Sequence, residues 1–196
     1  MASVIDIANI ALSHVGGNRI TSLNGPTEEA AQCQLHYGFA RDKVLGEREW
    51  TFAIARRQLA KVSDAPAFGP PSQFQLPSDC IRVLRCYEDG DYQYPLENNT
   101  TNWYKEGDKV VTDRQAIYCQ YIRRVEDPNL YTAGFIEAVA TYLAHKICIP
   151  LTANRGLSTE LLQIHEEELT RAAVTDGLQG KHRVIRYSRL TSARRR

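Results

Sequence analysis

Two groupings of ionisable side chains carry the residue types for acid–base or metal chemistry. His165 is followed by Glu166, Glu167 and Glu168, an imidazole beside three carboxylates. Consecutive residues of a helix point in different directions, however, and a shared metal needs ligands four apart, so this run reads as a solvated acidic helix face. Glu88, Asp89 and Asp91 surround Gly90. They would suit a cation loop or a pair of glycosidase carboxylates, but glycine among acids is equally a plain turn. His145 lies in register with Glu137 and Thr141 and could pair with either, a placement better suited to an interface or capping role than to acid–base catalysis. The chain contains no H-E-x-x-H, no G-x-S-x-G, no P-loop and no G-x-G-x-x-G after a strand. The expectation is a protein that is not an enzyme, with no cofactor and no metal.

Binding chemistry is better represented. Tyr87, Tyr92, Tyr94, Trp103, Tyr104, Tyr118 and Tyr121 crowd the middle of the chain, as sheet packing or as an aromatic interface; Tyr92 and Tyr94, in a polar stretch, suit the interface better. A nucleic-acid platform there would need basic residues interleaved on one face. Alternation along a strand puts Arg82 and Arg85 on opposite sides, which weakens that reading.

The charge distribution is uneven although the formal net charge is only +1. All 23 acidic residues lie at or before Asp176 with 17 of the 24 Lys and Arg, so residues 1–180 carry −6 and residues 181–196 carry +7. That basic segment has too little apolar content to fold alone, and fully extended it reaches about 50 Å. Val184, Ile185, Tyr187 and Leu190 interrupt its arginines, which suits pockets on a folded partner, with Arg183, Arg186 and Arg189 meeting carboxylates. A solvated tail without a partner and a nucleic-acid tether are the alternatives.

The elements that must position these groups follow from 196 residues of ordinary globular composition, 43% apolar and 24% charged. Five scattered cysteines, odd in number and without a C-x-x-C pair, point to reduced thiols in a cytosolic compartment. No membrane span or signal peptide is expected, and the N-x-[ST] matches at Asn98 and Asn99 mark only a polar loop. Ser3 and Asp6 resemble a capping box opening a helix to about Val15, stopped by Gly16-Gly17. Thr27 caps a second helix with Ala30, Cys33, Tyr37, Ala40 and Val44 on its inner face, Leu35 and Phe39 widening it and Gly46 ending it. Six short strands follow, over 54–62, 73–76, 80–87, 103–105, 109–112 and 116–124, a small antiparallel sheet or sandwich. Thr132 caps a third helix to Pro150, and a fourth runs from near Ser158 to Gly177 with Leu161, Leu162, Leu169, Ala172 and Ala173 inward. The first and third helices are so apolar that burial against neighbouring copies is expected to cover part of them.

The fold class is therefore α+β: a four-helix lobe built from both chain ends (1–53 and 125–178), an inserted β lobe (54–124), and an extended C-terminal arm (179–196).

Several phrases then carry a resemblance. They are Glu49-Trp50-Thr51-Phe52-Ala53, Arg56-Arg57-Gln58-Leu59-Ala60, Leu76-Pro77-Ser78-Asp79-Cys80-Ile81-Arg82-Val83-Leu84, the run from Gln120 to Pro128, and the helix Phe135–Ile149. In this order they resemble the tail tubular protein A, or head-to-tail adaptor, family of short-tailed bacteriophages, over roughly residues 3–178. The resemblance implies a virion protein forming a closed homo-oligomeric ring, usually of twelve copies, between the portal protein and the tail nozzle protein, with genomic DNA passing through its lumen. It implies assembly in the host cytoplasm and residence at the head–tail junction, with no membrane partner. An acidic body fits a DNA conduit, since a basic wall would hold the phosphates. Tyr92, Tyr94 and Trp103 become candidates for contact with the nozzle or a neighbour, and the arm (Arg183, Val184, Ile185, Arg186, Tyr187, Arg189, Leu190) for docking into the portal. The basic ending itself is not part of the family pattern, so its role rests on chemistry and position. A DNA-binding accessory protein acting through the arm is the alternative; a tail-borne peptidoglycan hydrolase using Glu88, Asp89 or Asp91 is a more distant one.

Overall fold

A computed structural model of the chain describes residues 2–64, 66–88 and 103–177. Helix α1 (Val4–Val15) begins where the sequence places it: Asp6 N–H donates to Ser3 Oγ at 3.1 Å, and Ser3 N–H donates to Asp6 Oδ2 at 2.8 Å. The bonds that the Ser3 N–H and hydroxyl donate to the carboxylate hold its pKa below the usual range. Gly16 closes the helix at φ +71°, where a Cβ is disfavoured. Asn9 clamps the following linker through both its amide atoms, to Ile20 O at 2.9 Å and Ile20 N at 2.8 Å.

Helix α2 (Glu28–Glu47) is capped by Thr27 and buries Ala30, Cys33, Tyr37, Ala40 and Val44. Leu35 and Phe39 do not widen that face; they point to solvent, 59% and 75% exposed. Gly46 does not end the helix either. A Cβ there would stand 3.4 Å from Ile81 Cγ2, so the glycine leaves room for the sheet against the helix.

Helices α3 (Ala133–Thr152) and α4 (Arg155–Gly177) pack at close range. Gly134 sets that approach, since a Cβ on it would come within 2.6 Å of Ala172 Cβ. Pro150 falls in the last turn of α3, which runs on to Ala153 at φ +53°. The four helices share one core, drawn from both chain ends, from Ile7 through Val44 and Trp50 to Phe135, Leu143, Leu161 and Ala172.

The middle of the chain forms two antiparallel sheets. One has the order β1 (Ile54–Gln58), β7 (Tyr118–Arg123), β4 (Cys80–Tyr87); the other has β2 (Ala60–Lys61), β3 (Ser72–Gln75), β6 (Lys109–Thr112), β5 (Trp103–Glu106). The single first strand expected from the sequence is two. The chain changes sheet at Leu59, whose N–H still bonds Ile117 O at 3.0 Å while its side chain enters the space between the sheets. The three-stranded sheet is a shared wall. Ile54, Ile81, Leu84 and Ile122 pack on the helical core, whereas Val83, Cys86, Cys119 and Tyr121 face the second core with Leu59, Phe74, Trp103, Val110 and Ile117. The molecule is thus layered, helices on sheet on sheet, and the β segment meets the helices through its three-stranded sheet.

Strand β4 departs from simple alternation. Its register against β7 slips twice, between Cys80 and Arg82 and between Val83 and Arg85. Each bulge inserts one residue, so every third side chain shares a face instead of every second. Arg82 pairs with Ile122 and Arg85 with Gln120, which lie on one side of β7, so the two arginines share a face and do not oppose each other.

Candidate functional site

The candidate site is built from the sequence candidates that are described and from the buried polar joints around them. Of the sequence candidates, Tyr92, Tyr94 and the arm residues Arg183, Val184, Ile185, Arg186, Tyr187, Arg189 and Leu190 lie outside the described residues. Trp103 is described, and the structure corrects its reading. It is only 4% exposed, at the head of β5, and belongs to the core between the sheets. Its neighbour Tyr104 takes the outer face of that edge strand and brings Oη close to Gly69, where a Cβ would stand 3.4 Å away. Phe68, beside Gly69, is 90% exposed.

The end of α4 is bonded to the start of the sheet. Near the end of α4, Asp176 is buried and its carboxylate grips Thr51, accepting from the Thr51 backbone N–H at 2.7 Å and from Thr51 Oγ1 at 2.9 Å. Thr51 opens a short 3-10 turn, Thr51–Ala53, that joins α2 to β1. The same junction is fixed from within by Trp50, whose Nε1–H donates to Val44 O at 2.8 Å and whose ring meets Phe135 edge-on at 5.0 Å. From outside, Arg85 reaches Glu49 at 3.3 Å. Beside this turn Thr51, Ile54, Arg56 and Gln120 line an open cavity of about 440 Å³. Asp176 thus ties the end of α4 to the meeting point of α2 and the shared sheet.

A second buried polar joint lies on the same side of α4. His165 is 2% exposed and therefore not on the solvated acidic face that its neighbours Glu166 and Glu167 occupy. Its Nδ1 lies 2.9 Å from Ala138 O, its Nε2 lies 3.4 Å from Glu47 Oε2, and the Tyr142 ring covers it at 5.0 Å. Lys43 bonds the other oxygen of Glu47. Burial lowers the imidazole pKa, with the Glu47 carboxylate pulling the other way. His145 meets Ser158 and not the Glu137 or Thr141 of its own stripe: Nδ1 lies 2.8 Å from Ser158 O and 3.0 Å from Ser158 Oγ, tying α3 to α4.

Sequence reasoning missed Thr51, Asp176 and the inward turn of His165. A signal was present for two of them, because Ser158, Leu161, His165, Leu169, Ala172 and Asp176 recur three and four apart and are all buried. The Thr51 contact spans 125 positions and has no local signal. Glu88, one of the acids weighed for chemistry, is paired with Arg114 at 3.1 Å. Among the described residues, no three His, Cys, Asp or Glu converge as metal ligands, and no helix is long and apolar enough to cross a membrane.

No protein-family model matches this chain, and no curated protein sequence matches it. The fold and its joints define a class and no more: an α+β protein in which a helical core from both chain ends carries an inserted pair of sheets and clasps the base of a basic terminal segment.

Proposed function

We propose that the protein is a ring-forming head-to-tail adaptor of a short-tailed bacteriophage, joining a portal to a tail nozzle and lining part of the DNA ejection channel. The observation that carries this reading is the arrangement itself. Helices from both chain ends enclose one core, the sheets are inserted between them, and Glu49–Ala53, a phrase of the family resemblance, forms the junction where Asp176 is clasped. A terminal arm that inserts into a portal must hand its load to a rigid body, and Asp176 on Thr51 supplies that connection. The exposed Leu35 and Phe39 of α2 and Phe68 of the β2–β3 loop are apolar side chains suited to contact between copies. Because a closed ring has heterologous contacts, the α2 face of one copy would meet a different surface of the next.

The test is mass photometry of the full chain alone and with a portal protein. A closed ring, formed alone or on the portal, and loss of portal attachment on deleting residues 181–196 are the expected results. A monomer that ignores the portal would refute the reading. If the deleted form loses only duplex DNA binding, with log K falling about 6 per decade of salt for seven phosphate contacts, the accessory-protein alternative takes its place.

A further inference from the structure

The shared sheet holds two cysteines in a relation that the fold does not require. Cys86 on β4 and Cys119 on β7 are direct cross-strand partners, both buried, both facing the core between the sheets. The hydrogen-bond pattern fixes what kind of pair they are. Leu59 N–H bonds Ile117 O at 3.0 Å, so the odd-numbered residues of β7 turn their peptide groups towards β1. Arg124 N–H bonds Asp79 O at 2.7 Å, so the even-numbered ones turn theirs towards β4. Cys119 therefore makes no ladder bond to β4, and Cys86–Cys119 is a non-hydrogen-bonded pair. Such pairs have Cα atoms about 4.5 Å apart, inside the window of roughly 4.4–6.8 Å that a disulfide spans. The neighbouring Cys119 thiol, together with burial, pushes the Cys86 thiol pKa up. Arg85–Gln120 and Tyr87–Tyr118 flank them in continuous register, so neither strand must slip for the sulfurs to join.

We propose that Cys86 and Cys119 are a latent cross-strand disulfide, reduced in a reducing compartment and closed when the protein meets a small-molecule disulfide oxidant. In the first step Cys86 gives up its proton and its thiolate attacks one sulfur of the oxidant, forming a mixed disulfide and expelling one thiol. The Cys119 thiolate then attacks Cys86 Sγ, forming the protein bond and expelling the second thiol. The protein loses two electrons and two protons, and the oxidant is reduced to two thiols. Burial makes the step slow, because the thiolate forms only as the sandwich opens. Once formed, the bond closes the loop 86–119, which includes the β5–β6 hairpin, and ties β4 to the central strand. The inference goes beyond the functional reading above and stands without it. Cys80 is the rival partner for Cys119, facing the same core, but its cross-strand partner is Arg123 and both bulges separate it from Cys86.

The experiment incubates the full chain with oxidised glutathione, then counts free thiols and maps non-reduced peptides by mass spectrometry. The folded protein should go from five thiols to three, with Cys86 linked to Cys119, and its Tm should rise by about 5–10 °C. Cys86→Ala and Cys119→Ala should each abolish both the loss of two thiols and the rise. If a variant does not fold, the peptide map of the unaltered chain still decides. Five persistent thiols under conditions that oxidise the urea-unfolded chain would overturn the proposal, and so would a Cys80–Cys119 link.

Discussion

Helices α1 and α2 show opposite relations between composition and exposure. α1 is apolar over most of its girth, yet Ile7, Ala8, Ala11, Leu12 and Val15 are buried, and Val4, Ile5 and Ile10 are half-covered by the same core. α2 has a mixed, charged sequence, yet it leaves Leu35 and Phe39 largely in solvent. Of the apolar excess on α1 and α3, the four-helix core covers the larger part and leaves Val4, Ile5, Ile10 and Ile136 half-covered. α3 lies against α1, α2 and α4, and the monomer itself covers nearly all of its apolar side chains, Ile149 excepted. Apolar content measures how centrally a helix sits; only exposure in the folded chain says where a second surface is free to bind. The contrast divides the molecule into parts whose alteration costs the fold and parts whose alteration costs only association.

The largest effect on the fold belongs to Gly134. Gly134→Val places two methyl groups where even one carbon would come within 2.6 Å of Ala172 Cβ, forcing α3 and α4 apart. Overpacking of this kind should cost about 3 kcal/mol, read as a lowered urea midpoint. An unchanged midpoint would show that the α3–α4 contact is not the tight one described here. Asp176→Ala comes next. It removes the two charge-assisted bonds that the buried carboxylate accepts from the N–H and hydroxyl of the exposed Thr51, at a cost of about 2 kcal/mol. Hydrogen exchange should quicken at Thr51–Ala53 while α1 keeps its protection.

A smaller effect belongs to the buried His165 joint. Burial lowers the folded pKa of His165 below the unfolded value of about 6.5. A group of this kind contributes its full stability above the unfolded pKa and loses it as pH falls below 6.5 towards the folded value, because the unfolded chain takes up the proton first. The groups facing the ring are Glu47 and Lys43 from α2 and Tyr142 and the Ala138 carbonyl from α3, with Lys146 over the far side of Tyr142. The urea midpoint should therefore fall between pH 7 and pH 5, and His165→Gln should flatten much of that slope. A midpoint that rises on acidification would mean that Glu47 outweighs burial and that the protonated pair staples α4 to α2.

How far the sequence revealed these parts depended on whether their causes were local. The Ser3–Asp6 box, the Thr27 and Thr132 caps and the Gly16 stop were legible, because each is closed by bonds within three or four residues, the caps through a side chain and Gly16 through its own N–H. The α+β order was legible from the change of periodicity near Trp50 and again near Pro128. The crossing at Leu59 was not, since Ile54–Lys61 reads as one strand until the second sheet claims its end. Nor were the β4 bulges, which move Arg82 and Arg85 onto one face through the pairing with β7. His165 was misread because its sequence neighbours are acidic, while its neighbours in space are Ala138, Tyr142 and Glu47. The Asp176–Thr51 clasp had no local signature.

The smallest expected effect on the fold is the most informative about assembly. Leu35 and Phe39 stand four apart on α2, one turn above the other, and neither belongs to a core of the monomer. Replacing both with Ser removes apolar surface that is already wet, so the unfolding midpoint should move by no more than about 0.5 kcal/mol equivalent. The same change should weaken contact between copies, because an apolar pair that closes against a neighbour contributes through the area it removes from water. Sedimentation velocity over a concentration series would then show the variant staying smaller than the unaltered chain at every concentration. Equal association would assign the contact elsewhere, with Phe68 the next residue to change. A collapse in stability would instead show that α2 turns this face inward, and the contrast with α1 would disappear.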